Sequence, residues 1–423
     1  MIGFLFVLLL ALLVIGVPIF VALILSTMLA LLFFTDISPM MAVQRAFGGI
    51  DKFVLMSLPL FILSANAMDA GGLSGRIIAW AKALVGHLSG GLAMATQTAS
   101  MMFGALSGSS PATVVAIGRI LYPELIRQGY SRNFASGLII QSGSVSLLIP
   151  PSITLILYAT ATNTSVGDLF MAGLGAGVVF GCGVLLYVYL YARMQKLPTA
   201  QRATARELGR ATRSAWWALL VPVIIIGGIF SGTFTPTEAA GVAALYSILI
   251  GMFVYKEISL KGLYKLCLRS AVTSAQVMIL IAGASSLSWI LTIGQVPQTL
   301  SAFLTDNFST ALTFLLFLNL VLLVVGMFLD ASIALIVVAP LVLPAALNLG
   351  IDPIHLGIVM VLNLAIGTFT PPFGLNIFVS NSVTGLTLRE LLPGLMRFIA
   401  VSLVILVLIT YVPSISLFLP GLG

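Results

Sequence analysis

Asp330 is the only ionisable residue between Asp306 and Asp352, in a stretch otherwise built from apolar and small polar residues. A carboxylate in such surroundings can hold a cation, orient a substrate, or cap a helix and face trapped water. Two proline pairs, Pro150-Pro151 and Pro371-Pro372, interrupt long apolar runs. Consecutive prolines remove backbone donors and free carbonyl oxygens that hydrocarbon cannot satisfy, so such breaks survive where the freed groups line a cavity or bind an ion. The first pair is flanked by Gln141, Ser142, Gly143, Ser144, Ser146, Ser152 and Thr154. The second is flanked by Asn363, Gly367, Thr368, Thr370, Gly374 and Asn376. Hydroxyl and carbonyl oxygens clustered in this way suit Na⁺, and the N-terminal ends of half-helices suit an anion. A third polar cluster, Ser107-Gly108-Ser109-Ser110-Pro111-Ala112-Thr113, contains a proline that must break its helix.

None of these groups is arranged for covalent catalysis. His87 and His355 are too few and too isolated for a metal site, and Cys182 and Cys267 give no disulfide framework. Gly143-Ser144 with a distant histidine could suggest an intramembrane serine protease, but both histidines fall near the expected membrane edges. There is no GxxxxGK[ST] phosphate loop and no soluble segment long enough for a nucleotide-binding domain, which excludes direct ATP drive. The formal charge of +7 is spread between apolar segments and forms no compact patch, so no nucleic-acid partner is expected. Glu238, in Thr235-Pro236-Thr237-Glu238, reads as the acid of a capping box and not as a proton carrier. Trp216-Trp217 reads as an interfacial anchor. A channel lined by small polar residues is the alternative that saturable uptake would exclude. The sequence therefore points to transport without chemistry: not an enzyme, and no organic cofactor.

The elements that must position these groups lie in a membrane. Of 423 residues, 60% are apolar and only 7% charged, and the mean hydropathy is +1.18. A soluble fold of this size could not cover its surface with so few charges. The expected fold is an all-α polytopic membrane protein. Residues 1–35 carry no charge and no signal-peptide cleavage pattern, and are expected to be one retained helix bent near Gly16 and Pro18. Arg193, Lys196, Arg202, Arg206, Arg210 and Arg213 place the linker 193–215 in the cytoplasm. Tracing outward from it leaves only Arg45 and Lys52 of the 19 basic residues outside, provided 88–118 enters and returns without crossing. Residues 313–347 form a second hairpin, from the exterior. The expectation is about ten crossings plus two re-entrant hairpins. The N-terminus is placed inside and the C-terminus outside.

Sliding the chain against itself by 221 residues places Pro123 on Pro344, Gly129 on Gly350, Pro150-Pro151 on Pro371-Pro372 and Gly173 on Gly394. Ser109 falls on Asp330 at the same offset. The two hairpins open to opposite sides, so the halves form an inverted repeat, the signature of secondary transporters with alternating access. The first repeat spans 1–192, with hairpin 88–118 and broken helix 133–163. The second spans 216–423, with hairpin 313–347 and broken helix 355–383.

Over almost its whole length the chain resembles the large membrane subunit of tripartite ATP-independent periplasmic (TRAP) transporters. The resemblance is carried by GGIFSGTFTPTEAAGVAALYS at 227–247, SGSSPATVVAIGRILYPELIRQGYSRNFASGL at 107–138, IPPSITLILYA at 149–159 and FTPPFGLNIFV at 369–379. It implies an elevator-type permease of the bacterial inner (cytoplasmic) membrane, surrounded by lipid and driven by a Na⁺ gradient, with two or more Na⁺ ions bound. It further implies a periplasmic substrate-binding protein and a small four-helix membrane subunit, here expected as a separate chain. Carried over, a first Na⁺ site falls between Ser107, Ser110, Gly143, Ser146 and Pro150. A second falls between Gly326, Asp330, Gly367 and Thr370. An organic acid anion would lie among Ser109, Ser110, Thr113, Ser152, Asp330, Ser332 and Asn376. A stand-alone ion-coupled anion carrier needing no binding protein is the alternative.

Overall fold

The computed structural model describes residues 1–197, 199 and 201–422. It is 82% helical, without strands among the described residues. Among those residues, eight helices are long and apolar enough to cross a bilayer. Without water in the hydrocarbon, backbone donors and acceptors must pair within a helix, which accounts for the absence of other structure. Helix starts carry matching local signals. Thr204 with Glu207, Thr235 with Glu238 and Thr387 with Glu390 form capping boxes, and Ser131, Ser165, Asp330 and Asp352 cap other helices through their side chains. Glu238 is thus a cap, as its spacing suggested.

The N-terminal segment differs from expectation. Residues 1–35 are not one bent crossing but two helices, Ile2–Val14 and Ile19–Phe34, turned back on each other at Gly16 (φ 86°). Phe4 packs on Phe33 and Phe34, with ring centroids 6.0 and 5.2 Å apart. Met1 therefore lies at the same end as Thr35, against Gly294. Composition could not separate the cases, because a tilted helix and two short ones are equally apolar.

Arg76 pairs with Glu257 at 2.8 Å and lies 3.8 Å over the Tyr255 ring, while Lys82 pairs with Glu124. These contacts bring Arg76, Lys82, Glu124 and Glu257 together at one end of the molecule. Arg45 and Lys52 lie at the other end, where Lys52 donates to the Thr160 carbonyl at 2.9 Å and Arg45 lies 5.3 Å over Trp289.

The first hairpin is longer than expected, with arms Gly91–Ser107 and Ser110–Arg127. The second has arms Ala311–Phe328 and Ala331–Asn348. Each is followed by an interrupted helix: Arg132–Ser142 then Ile153–Thr162, and Pro353–Gly367 then Leu375–Thr384. Both interruptions hold their proline pair, and both Pro–Pro peptide bonds are cis. The boundaries of the second-hairpin arm repeat those of the first at the sequence offset, Ser110–Arg127 against Ala331–Asn348. Facing these elements stands a second group of helices, Ser57–Ala70, Pro236–Leu249 and Leu260–Ile293. Their contacts use small residues, which let backbones approach in the absence of a hydrophobic driving force. Ala239, Ala240, Ala243 and Ala244 are buried, Ser64 meets Ser247 at 3.2 Å, and Asn66 donates to Ser270 at 2.9 Å.

Candidate functional site

The first hairpin turns at Gly108, whose φ is 57°, a region that glycine enters at no steric cost. A Cβ there would stand 2.7 Å from the Pro151 carbonyl, so the tip lies directly on the first helix break. Gly143 is packed in the same manner: its Cβ would stand 2.8 Å from the Ser110 carbonyl. One turn further back, a Cβ on Gly104 would stand 2.8 Å from that of Ser146. Within the tip, the Ser107 and Thr113 hydroxyls are 3.0 Å apart, and Thr113 also donates to the Ser109 carbonyl at 2.9 Å.

The tip also reaches the other half of the chain. Asn376, fully buried, donates to Ser110 Oγ at 2.7 Å and to the Ile140 carbonyl at 3.2 Å. The Ser110 hydroxyl donates to Asn376 Oδ1 at 3.1 Å. One amide thus joins the first tip to both interrupted helices. The second tip packs on the second break through two glycines, because a Cβ on Gly367 would meet Gly326 Cα at 2.6 Å. The Gly374 amide donates across to the Met327 carbonyl at 3.0 Å. Asp330 accepts from the Ser332 amide at 2.8 Å and caps Ala331–Asn348.

Both tips line one cavity of about 810 Å³. Ser107, Ser109 and Ser110 face it from the first tip, Asp330 and Ser332 from the second, and Thr154 and Thr368 from the breaks. Its far wall comes from Asn66, Asp69, Thr273 and Gln276, and it extends to Arg119 and Arg269 at the basic end. Hydroxyls, a carboxylate and helix N-termini converging on an enclosed space can bind a small anion with cations beside it. Among the described residues no cluster of three His, Cys, Asp or Glu could hold a metal ion. The Ser416 hydroxyl lies 2.7 Å from His355 Nδ1, but neither residue lines this cavity.

A family model for the tripartite ATP-independent periplasmic transporter, DctM component, matches residues 6–415. The chain belongs to the DctM family. It is 44% identical over 397 residues to the C4-dicarboxylate TRAP transporter large permease protein DctM of Pseudomonas aeruginosa, covering 94% of this chain and 93% of that one. It is 40% identical over 442 residues to the corresponding protein of Vibrio cholerae, covering 100% of this chain and 98% of that one. Among solved structures, the Neisseria gonorrhoeae antimetabolite efflux pump MtrF superposes with a TM-score of 0.60 over 93% of this chain and 85% of its own. At 11% identity that likeness shows the fold alone. DctM proteins are multi-pass membrane permeases and not enzymes, and they work with a small permease and a periplasmic binding protein.

In this DctM chain the expected substrate residues divide into two groups. Ser109, Ser110, Asp330 and Ser332 line the cavity. Thr113, Ser152 and Asn376 are buried behind it and engaged in internal hydrogen bonds. Of the expected Na⁺ residues, Gly143 and Ser146 lie against the first hairpin, and Gly326 and Gly367 lie against each other. Thr370 donates to the Ile366 carbonyl at 2.7 Å, which leaves its oxygen lone pairs available. Asn66 and Gln276, on the facing wall, were not anticipated. Each is a neutral primary amide, which carries no ionisable signal of the kind that singled out Asp330.

Proposed function

We propose that this permease carries an organic acid anion together with Na⁺ into the cell, with the anion held between the two hairpin tips. The observation that carries this is the shared cavity, in which tips from opposite ends of the molecule meet beside two proline-broken helices. Organic acid transport agrees with the C4-dicarboxylate permeases among its relatives. The carboxylate would accept from the Ser109 hydroxyl and from amides at the start of Ala331–Asn348.

Two Na⁺ ions would be co-substrates. One would take oxygens from Ser107, Ser110, Gly143, Ser146 and Pro150, the other from Gly326, Asp330, Gly367 and Thr370. Carbonyls freed by helix breaks, hydroxyls and one carboxylate make an oxygen donor set of the kind Na⁺ takes in broken-helix transporters. Because each group spans a tip and a break, an ion there would clamp the two together. Coupling follows if the clamped tip binds the anion more tightly than the free one.

The hairpins and interrupted helices would move as one body, joined by Asn376 and by Asn363, which donates to Asn319 at 2.7 Å. They would slide as an elevator along Ser57–Ala70 and Leu260–Ile293. With its cavity extending to Arg119 and Arg269, the present arrangement would be the inward-releasing one. The substrate would arrive from a periplasmic binding protein, and a small permease would complete the scaffold in the bacterial inner membrane. Uptake of labelled succinate by proteoliposomes supplied with the small permease and the binding protein, with and without a Na⁺ gradient, tests this. Saturable, gradient-dependent uptake is expected, whereas equal uptake without Na⁺ would refute the coupling.

A further inference from the structure

A second cavity of about 550 Å³ lies at the opposite end of the molecule from the basic linker. It is walled by Met40–Ile50 and Leu260–Ile293 on one side, and by the end of Ile153–Thr162 and the second hairpin on the other. Arg45 and Lys52, the two basic residues that charge patterning places outside, both line it. Neither makes an ion pair among the described residues, with Asp51 beside Lys52 or with any other acid. Lys52 meets only the neutral Thr160 carbonyl, and Arg45 is held over the Trp289 ring. The remaining polar lining is neutral, including Ser285 and Ser288. Two cations without an ion-pair partner in one polar recess attract anions, and a ring-stacked guanidinium keeps its donors free for two-point contact with a carboxylate.

This recess and the central cavity have three lining residues in common: Leu157, Ile281 and Ile336. They are aliphatic, two from the hairpin and broken-helix group and one from the facing wall. An anion cannot shed its water to cross such a septum.

We propose that Arg45 and Lys52 form an outer carboxylate-binding site, closed from the central cavity by the Leu157–Ile281–Ile336 septum. It takes the anion before the carrier does. Lys52 also ties the outer site to the moving group through Thr160, so a carboxylate that draws Lys52 away releases that tie. The inference rests on carboxylate transport as proposed above, but its test does not depend on uptake.

In lipid nanodiscs, a Trp80→Phe, Trp216→Phe, Trp217→Phe background leaves Trp289 as the single tryptophan of the four. Titration with succinate should change Trp289 fluorescence saturably, and uncharged succinamide should not. Arg45→Gln with Lys52→Gln should raise the midpoint at least about tenfold, equivalent to about 1.4 kcal/mol. Arg45→Lys with Lys52→Arg should recover part of the response if charge is the cause. An unchanged midpoint in the glutamine variant, or an equal response to succinamide, would overturn the proposal. An intact Trp289 response in a protein that fails to accumulate succinate would count against the transport proposal and leave the outer site standing.

Discussion

Gly367→Ala tests the contact between the second tip and its helix break. The added Cβ would stand 2.6 Å from Gly326 Cα, 2.7 Å from its carbonyl carbon and 2.9 Å from its oxygen. All three are backbone atoms, so no side chain can turn aside. Restoring ordinary contact requires the tip to withdraw by about 1 Å, and overpacking of this kind costs roughly 1–3 kcal/mol. Much of that cost would fall on the clamped state, in which tip and break must touch. At about 1.4 kcal/mol per decade, the Na⁺ concentration for half-maximal uptake should rise by roughly fivefold to a hundredfold. The assay is a Na⁺ titration of succinate uptake in proteoliposomes, with Gly209→Ala as control because a Cβ there meets nothing within 4 Å. A wild-type Na⁺ curve for Gly367→Ala would refute the view that this contact forms part of the ion site.

Other substitutions separate binding from scaffolding. Asp330→Asn keeps a good N-cap, so its thermal stability should stay within about 0.5 kcal/mol of wild type while its Na⁺ dependence weakens. Asp330→Ala should lose the cap as well, about 1 kcal/mol, seen as a lower melting temperature in detergent. Asn376→Ala strands the Ser110 hydroxyl and the Ile140 carbonyl, and should destabilise by about 2–4 kcal/mol in a denaturation assay. Ser109→Ala should leave expression intact and raise the KM for succinate. An unchanged KM would remove that hydroxyl from the site.

Much of the site was legible because the background is apolar. In such a chain Asp330, the serine-rich tip and the proline pairs stand out, since each would be costly unless it served an ion, a ligand or a cap. Spacing then related the two halves, and the hairpin arms end at matching offsets. The N-terminal helix pair was not legible. Its turn rests on Gly16 and Pro18, and its pairing on Phe4 meeting Phe33 and Phe34, a contact remote in sequence. The far wall of the cavity was missed for a different reason: Asn66 and Gln276 belong to no repeat and no motif, and only the fold brings them opposite the tips. Asn376 illustrates the limit of residue type as a guide. An asparagine beside a helix break suits a ligand contact, yet its amide is spent joining Ser110 to Ile140.

The central claim, Na⁺-coupled carriage of a carboxylate delivered by a soluble partner, is tested most directly by uptake of labelled carboxylates into proteoliposomes. The vesicles would contain this chain with the small permease, with or without the periplasmic binding protein and an inward Na⁺ gradient. Accumulation only when both are present is the predicted result. Accumulation without the binding protein would make this a stand-alone carrier, and uptake indifferent to Na⁺ would contradict the coupling itself.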